Sequence, residues 1–221
     1  MAIDWIITSR DAPSDVSVIG GKAYSLLRLG RAGVSVPEWI CVTTQVHEEL
    51  LAAQRQVPAG EVAALPMGMS DALSKACRDM FPQVRAFAVR SSATVEDGES
   101  ASYAGQFESF LNVPYDRLPE MVGHVLASAG ASRVRAYRTA HRFSSDPRMA
   151  VIVQPMTDAV VSGVLFTADP VTGDASRSMI TAAFGLGEGV VHDLVDTDTF
   201  VFDHTKRRTM ERRVASKRRM E

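Results

Sequence analysis

Residues 88–113 read AVRSSATVEDGESASYAGQFESFLNV. An apolar run from Ala86 to Val89 leads into Arg90, and Ser91 and Ser92 follow it. An acidic, glycine-bearing loop comes next, and the chain then returns to an apolar segment that ends at Asn112. A strand that ends in a cation and hydroxyls beside such a loop is suited to holding phosphates. Arg90 offers a planar fork of donors. Ser91 and Ser92 add hydroxyl and backbone donors. The competing reading is a surface turn with a salt-bridged arginine, since Arg-Ser-Ser turns are common. This stretch alone leaves both open.

Upstream, Gly20-Gly21-Lys22 is expected to open an amphipathic helix. The apolar positions Tyr24, Leu26, Leu27 and Leu29 recur at helical spacing, and the helix is expected to end near Gly30 or Gly33. Helix N-termini favour anions, and glycines let backbone N–H groups come close. Lys22 would add a point charge. This is not a P-loop, because Val16 and Ala23 stand where that motif needs glycine and Ser/Thr.

Downstream, Met149 to Met156 (MAVIVQPM) and Gly163 to Phe166 are almost continuously apolar. They are expected to be neighbouring strands of a well-covered sheet. Gln154-Pro155-Met156 ends the first of them. Pro155 removes a backbone donor, which suggests a sheet edge or a hinge. A hinge with free backbone groups could read an adenine edge while Met156 packs on the ring. Gly185-Leu186-Gly187-Glu188-Gly189 follows a further expected strand, Met179 to Phe184. Its third glycine falls one position early for a dinucleotide fingerprint, so it reads as a tight turn, with Glu188 in a cleft or on its rim.

The remaining elements are short. Ile3–Ile7, Trp39–Val42, Phe87–Arg90 and Phe200–Phe202 read as strands. Gln45–Gln54, Asp71–Met80 and Pro119–Arg142 read as helices, with Thr43 or Thr44 capping the first. Asp203 to Lys206 reads as a turn. The final stretch, HTKRRTMERRVASKRRME (204–221), reads as a solvated strand and tail. The fold class is α+β, a mixed α/β front part at 1–147 followed by a strand-rich part at 148–221.

The 221 residues carry a net charge of −2, which argues against a general nucleic-acid binder. The two cysteines, Cys41 and Cys77, are too few for a disulfide framework. No apolar run reaches membrane-spanning length, and the N-terminus does not read as a signal peptide. A cytoplasmic protein is expected. His47, His124, His141, His192 and His204 show no metal-ligand spacing, and no Ser-His-Asp set is evident.

Four blocks together carry a resemblance: GGKAYSLLRLGRAGVSVPEWICVTT (20–44), the stretch at 88–113, MAVIVQPMTDAVVSGVLFTADPVTGD (149–174) and AAFGLGEGVVHDLVDTDTFVFD (182–203). In order and spacing they resemble the N-terminal nucleotide-binding domain shared by phosphoenolpyruvate synthase, pyruvate phosphate dikinase and rifampin phosphotransferase. The resemblance runs from about Gly20 to Lys217. It implies an ATP-grasp fold that holds ATP between two subdomains and passes a phosphoryl group to a histidine on a separate domain, and from there to pyruvate or another acceptor. It implies that Lys22 and Arg90 contact the ATP phosphates. Gly105, Gln106 and Ser109 would lie on the loop that covers the phosphates, and Gln154 and Met156 at the adenine hinge. Nucleotide contacts are also expected of Ser91 and Glu188.

The chain departs from the family pattern in places. Phe107 stands where relatives often carry a polar residue, and Ser109 where many have threonine. The later family segment, whose glutamate, glutamine and arginine hold Mg²⁺ and the phosphates, has no counterpart in this sequence. The expectation is therefore a truncated ATP-grasp domain, inactive alone. Its phosphohistidine and acceptor domains would lie in a full-length protein or a second chain. A non-catalytic nucleotide-sensing or partner-binding module is the alternative.

Overall fold

The computed structural model describes residues 5–58, 64–95, 107–130 and 148–216. Two compact units divide the chain, Met1–Met156 and Thr157–Glu221. The first is built on a five-stranded sheet of β1 (Ile6–Thr8), β2 (Ile40–Val42), β3 (Ala86–Ala93), β4 (Ser109–Pro114) and β5 (Met149–Pro155). Its spatial order is β1-β2-β5-β3-β4, and every neighbouring pair is antiparallel.

Alternation along the strands gives this sheet two apolar faces. On one, Cys41, Ala150 and Ile152 pack with Ile19, Ala23 and Leu27 of α1 (Val16–Arg31). On the other, Ile40, Val42, Val89, Val151 and Val153 meet α2 (Thr44–Gln54), α3 (Met69–Met80) and α4 (Leu118–Ser128). Helices on both faces explain why Met149–Val153 is buried without alternation.

Several expectations need correction. β3 does not end at Arg90: it runs on through Ser91 and Ser92 to Ala93, which pairs with Met149. The Arg-Ser-Ser motif is therefore strand, not turn, because β5 continues to supply ladder partners. Pro155 is not at a sheet edge. It ends the central strand, where its missing donor falls at the last ladder position, opposite Phe87. β5 was expected beside the apolar segment at 163–166, yet the two lie in different sheets. β5 belongs to the first unit, so that unit extends to Met156 rather than 147. The helix expected at 119–142 is α4 as far as Ser128, and 131–142 lies outside the described residues.

The helix bearing Gly20 begins earlier than expected, at Val16, where the Asp15 carboxylate caps it by accepting from Ser17 N at 2.8 Å. Gly20 then leaves helical geometry, at φ 73° and ψ 170°, and the helix resumes at Gly21. It stops in a Schellman motif: Val34 N donates to Leu29 O and Gly33 N to Gly30 O, both at 3.0 Å, with Gly33 left-handed.

The second unit is a four-stranded antiparallel sheet in chain order: β6 (Val161–Phe166), β7 (Arg177–Phe184), β8 (Asp198–Asp203) and β9 (Arg208–Arg213). The basic tail thus supplies an edge strand. The expected turn forms at Asp203, whose carboxylate accepts from Lys206 N at 2.8 Å. The glycine-rich stretch at 185–189 is only partly a turn, since Gly187–Val191 forms a short helix, α5. No helix among the described residues is long and apolar enough to cross a membrane.

Candidate phosphate-binding site

The interruption at Gly20 has a partner on β3. A Cβ at residue 20 would stand 1.9 Å from the Ser92 carbonyl oxygen, so only glycine allows this approach. The Ser92 hydroxyl donates to Ile19 O at 2.8 Å and accepts from Ala23 N at 3.0 Å. Ser92 is fully buried. Its hydroxyl, expected from the sequence to donate to phosphate, is instead engaged by α1.

Lys22 lies two residues past the interruption. Its Nζ donates to Ser91 O at 2.9 Å and Ser91 Oγ at 3.3 Å, joining residues 69 positions apart. Ser91 itself is buried. Arg90, half-buried, pairs with Ser109 on one side and Ile152 on the other. Directly opposed residues of a sheet share a face, so Arg90 and Ser109 lie on the face that α1 covers. Ala88 pairs with Gln154, which places Gln154 on that face as well.

Arg90, Ser109 and Gln154 therefore share one face of the sheet, the face on which α1, the helix that carries Lys22, packs. α1 has no acidic residue in its first turn. Two cations beside a resumed helix, whose first N–H groups carry partial positive charge, make a donor set chemically suited to an anion.

The other expected residues fall as follows. Gly105 and Gln106 lie outside the described residues. Ser109 is exposed and opens β4. Gln154 is buried, and its Nε2 donates to Pro37 O at 3.2 Å. Met156 is half-buried, and its N–H is not free: it donates to Ala86 O at 3.0 Å. Glu188 is exposed on α5 of the second unit. Phe107 is a core residue at 8 % exposure.

Among the described residues, no group of three or more His, Cys, Asp and Glu could hold a metal ion. Burial raises both cysteine thiols, Cys77 to about 12 despite Arg78, which leaves them inert as nucleophiles. A cavity of about 300 Å³ opens between α1 and the Pro37–Trp39 segment, lined by Leu26, Leu27, Arg31, Val36 and Arg10.

The direct link between the glycine pair and the serine pair is not legible in the sequence. A glycine at a helix interruption and a small hydroxyl residue on a buried strand were its signals, but nothing in one sequence joins them.

The profile of the family described as "Pyruvate phosphate dikinase, AMP/ATP-binding domain" matches residues 61–221. The chain is similar to the prodigiosin synthesizing transferase PigC of Serratia marcescens, at 37% identity over 90% of this chain and 24% of that protein. It is similar to a rifampicin phosphotransferase of Streptomyces sviceus, at 33% identity over 93% of this chain and 27% of the relative. A probable phosphoenolpyruvate synthase of Archaeoglobus fulgidus is also 33% identical, over 94% of this chain and 32% of its own length. The chain thus spans about a quarter to a third of the length of these curated relatives.

Proposed function

The chain belongs to the family of pyruvate phosphate dikinase AMP/ATP-binding domains, and from that premise we propose that it is the ATP-holding part of a phosphotransferase, with Lys22 and Arg90 on the nucleotide's phosphates. The observation that carries this reading is the Lys22 tether to β3, the strand that bears Arg90. Phosphoryl transfer asks little covalent chemistry of a protein. It asks for positioned cations that neutralise charge on the phosphate oxygens. Lys22 gives a point charge whose geometry is fixed by the Ser91 carbonyl. Arg90 gives a planar fork able to engage two oxygens.

Ser109, beside Arg90 on β4, adds a hydroxyl at the phosphate end. Met156, whose N–H is engaged by Ala86, serves the adenine through its side chain. Gly105 and Gln106 are assigned to the phosphates as further contacts. Mg²⁺, when bound to the nucleotide, supplies further charge neutralisation. The phosphoryl group then passes to a histidine in another part of the full-length protein or in a second chain, and on to pyruvate or another acceptor.

A calorimetric titration of MgATP into the chain tests the reading. Saturable binding is expected, weakened on the order of 10- to 100-fold by Lys22→Ala and by Arg90→Ala, the loss of a charge-assisted hydrogen bond in each case. Unchanged affinity in both variants, or no binding by the folded wild-type chain, would overturn it.

A further inference from the structure

In an uninterrupted α-helix the amide of Ala23 would donate to the carbonyl of Ile19, four residues earlier. Here Gly20 breaks the geometry between them. The Ser92 hydroxyl occupies the gap, accepting from Ala23 N and donating to Ile19 O. One side-chain oxygen from another element thus replaces one rung of the helix ladder, a recognised cause of helix kinks. Both lost helical partners are buried and both are satisfied by it, as buried polar groups must be. The two residues between the break and the rung's upper end are Gly21 and Lys22.

We propose that Ser92 is a positioning residue for Lys22: by holding α1 open at this rung, it sets the point from which the Lys22 ammonium leaves the helix toward Ser91. Gly20 is the other half of the device, because any Cβ there meets the Ser92 backbone. Without the hydroxyl, two outcomes are open to the helix. It closes the rung directly and turns Lys22 about its axis, or it leaves the Ile19 carbonyl and the Ala23 amide unpaired. Either way the ammonium loses its fixed position. This inference rests on the assignment of Lys22 to the phosphates only for its consequence in binding, not for the positioning itself.

The test has two readouts on the chain as it stands. The first needs no nucleotide: limited acetylation of lysine amines followed by mass spectrometry. Lys22 is expected to be slow in the wild-type chain and several-fold faster in Ser92→Ala, with Lys75 and Lys206 unchanged. Ser92→Thr, which keeps the hydroxyl, should return Lys22 to its slow rate. The second is MgATP affinity in a double-mutant cycle. Ser92→Ala is expected to weaken binding by about tenfold when Lys22 is present, and to add nothing once Lys22 is alanine. General loosening of the fold would instead cost affinity in both backgrounds. Should Ser92→Ala not fold, Ser92→Cys takes its place, with the same volume class and a much weaker hydrogen-bonding group.

Unchanged Lys22 labelling in a folded variant overturns the proposal, as does an equal affinity loss in both backgrounds. Faster Lys22 labelling in a chain that binds no MgATP supports the positioning and removes the phosphate assignment. Tight MgATP binding with no effect of Ser92→Ala does the reverse.

Discussion

β5 and the next strand in the chain, β6, are both strongly apolar, yet they meet different surroundings. All residues from Met149 to Gln154 are buried, whereas Val161 and Leu165 of β6 stand 57% and 58% exposed. β5 lies between two strands and between two helical layers. β6 is an edge strand with α5 packed against it. Among the described residues of the second unit, Ala183 and Val195 are the buried apolar side chains, and Phe184 is 45% exposed. The comparison separates two properties that composition merges. Apolar content makes a strand; the helices on its faces decide whether that strand carries the stability of its unit.

The largest effect expected from breaking this contrast lies at Gly20. Gly20→Ala meets both a left-handed φ and the Ser92 backbone, and should cost more than about 4 kcal/mol or prevent folding of the first unit, as read by denaturant titration. Next comes Ile152→Ala in β5, expected to cost about 2–5 kcal/mol through the cavity it leaves.

Acid should distinguish the units as well. His47 on α2 is buried, and its Nδ1 accepts the amide of Met149 at 3.2 Å, which leaves the proton on Nε2. Burial lowers its pKa from 6.5 to about 4. The unfolded chain therefore binds the proton first. The contribution of His47 to the stability of the first unit should be constant above pH 6.5, fall by about 1.4 kcal/mol per pH unit between 6.5 and 4, and level off below. His47→Gln should flatten that slope in thermal melts.

In the second unit, Asp169 and Asp174 are held below the usual carboxylate value of 3.8, Asp169 chiefly by the amides of Thr172 and Val171 and Asp174 by Ser176. Their contribution is present above 3.8 and is lost as the pH falls through their lower folded values. Site-resolved NMR through an acid titration should therefore see the first unit respond at higher pH than these turns. The smallest effect belongs to Leu165→Ala on β6, expected within about 0.5 kcal/mol of wild type. A cost near that of Ile152→Ala would mean that the exposed face of β6 is covered in solution.

Much of this architecture was legible in the sequence. The apolar runs marked β5 and β7, helical spacing marked α1, and turn chemistry marked Asp203. The two cations of the candidate site stand out in the sequence, but the local patterns around Lys22 and Arg90 leave structural readings open beside them, and only the four-block resemblance implies their phosphate roles. Strand neighbours were not legible. β5 and the strand after it read alike, and only long-range pairing sends them to separate sheets. The stretch that forms β9 reads as solvated strand and tail because it is strongly basic, and an edge strand needs no apolar pattern when one neighbour supplies its ladder. The inserted hydroxyl of Ser92 escaped for a related reason: its partners lie about 70 residues away and are backbone atoms, which have no letter in the sequence.

The position of β5 also has a mechanical consequence. Its last residue, Pro155, is followed by Met156, and the second unit begins at Thr157. Tension applied to the second unit therefore reaches the first through the end of its central strand. β5 is paired over seven positions with β3 and three with β2, both antiparallel, so a pull along the strand loads these rungs in parallel instead of peeling them one at a time. In a single-molecule stretching experiment, the second unit should yield at low force while this anchorage holds.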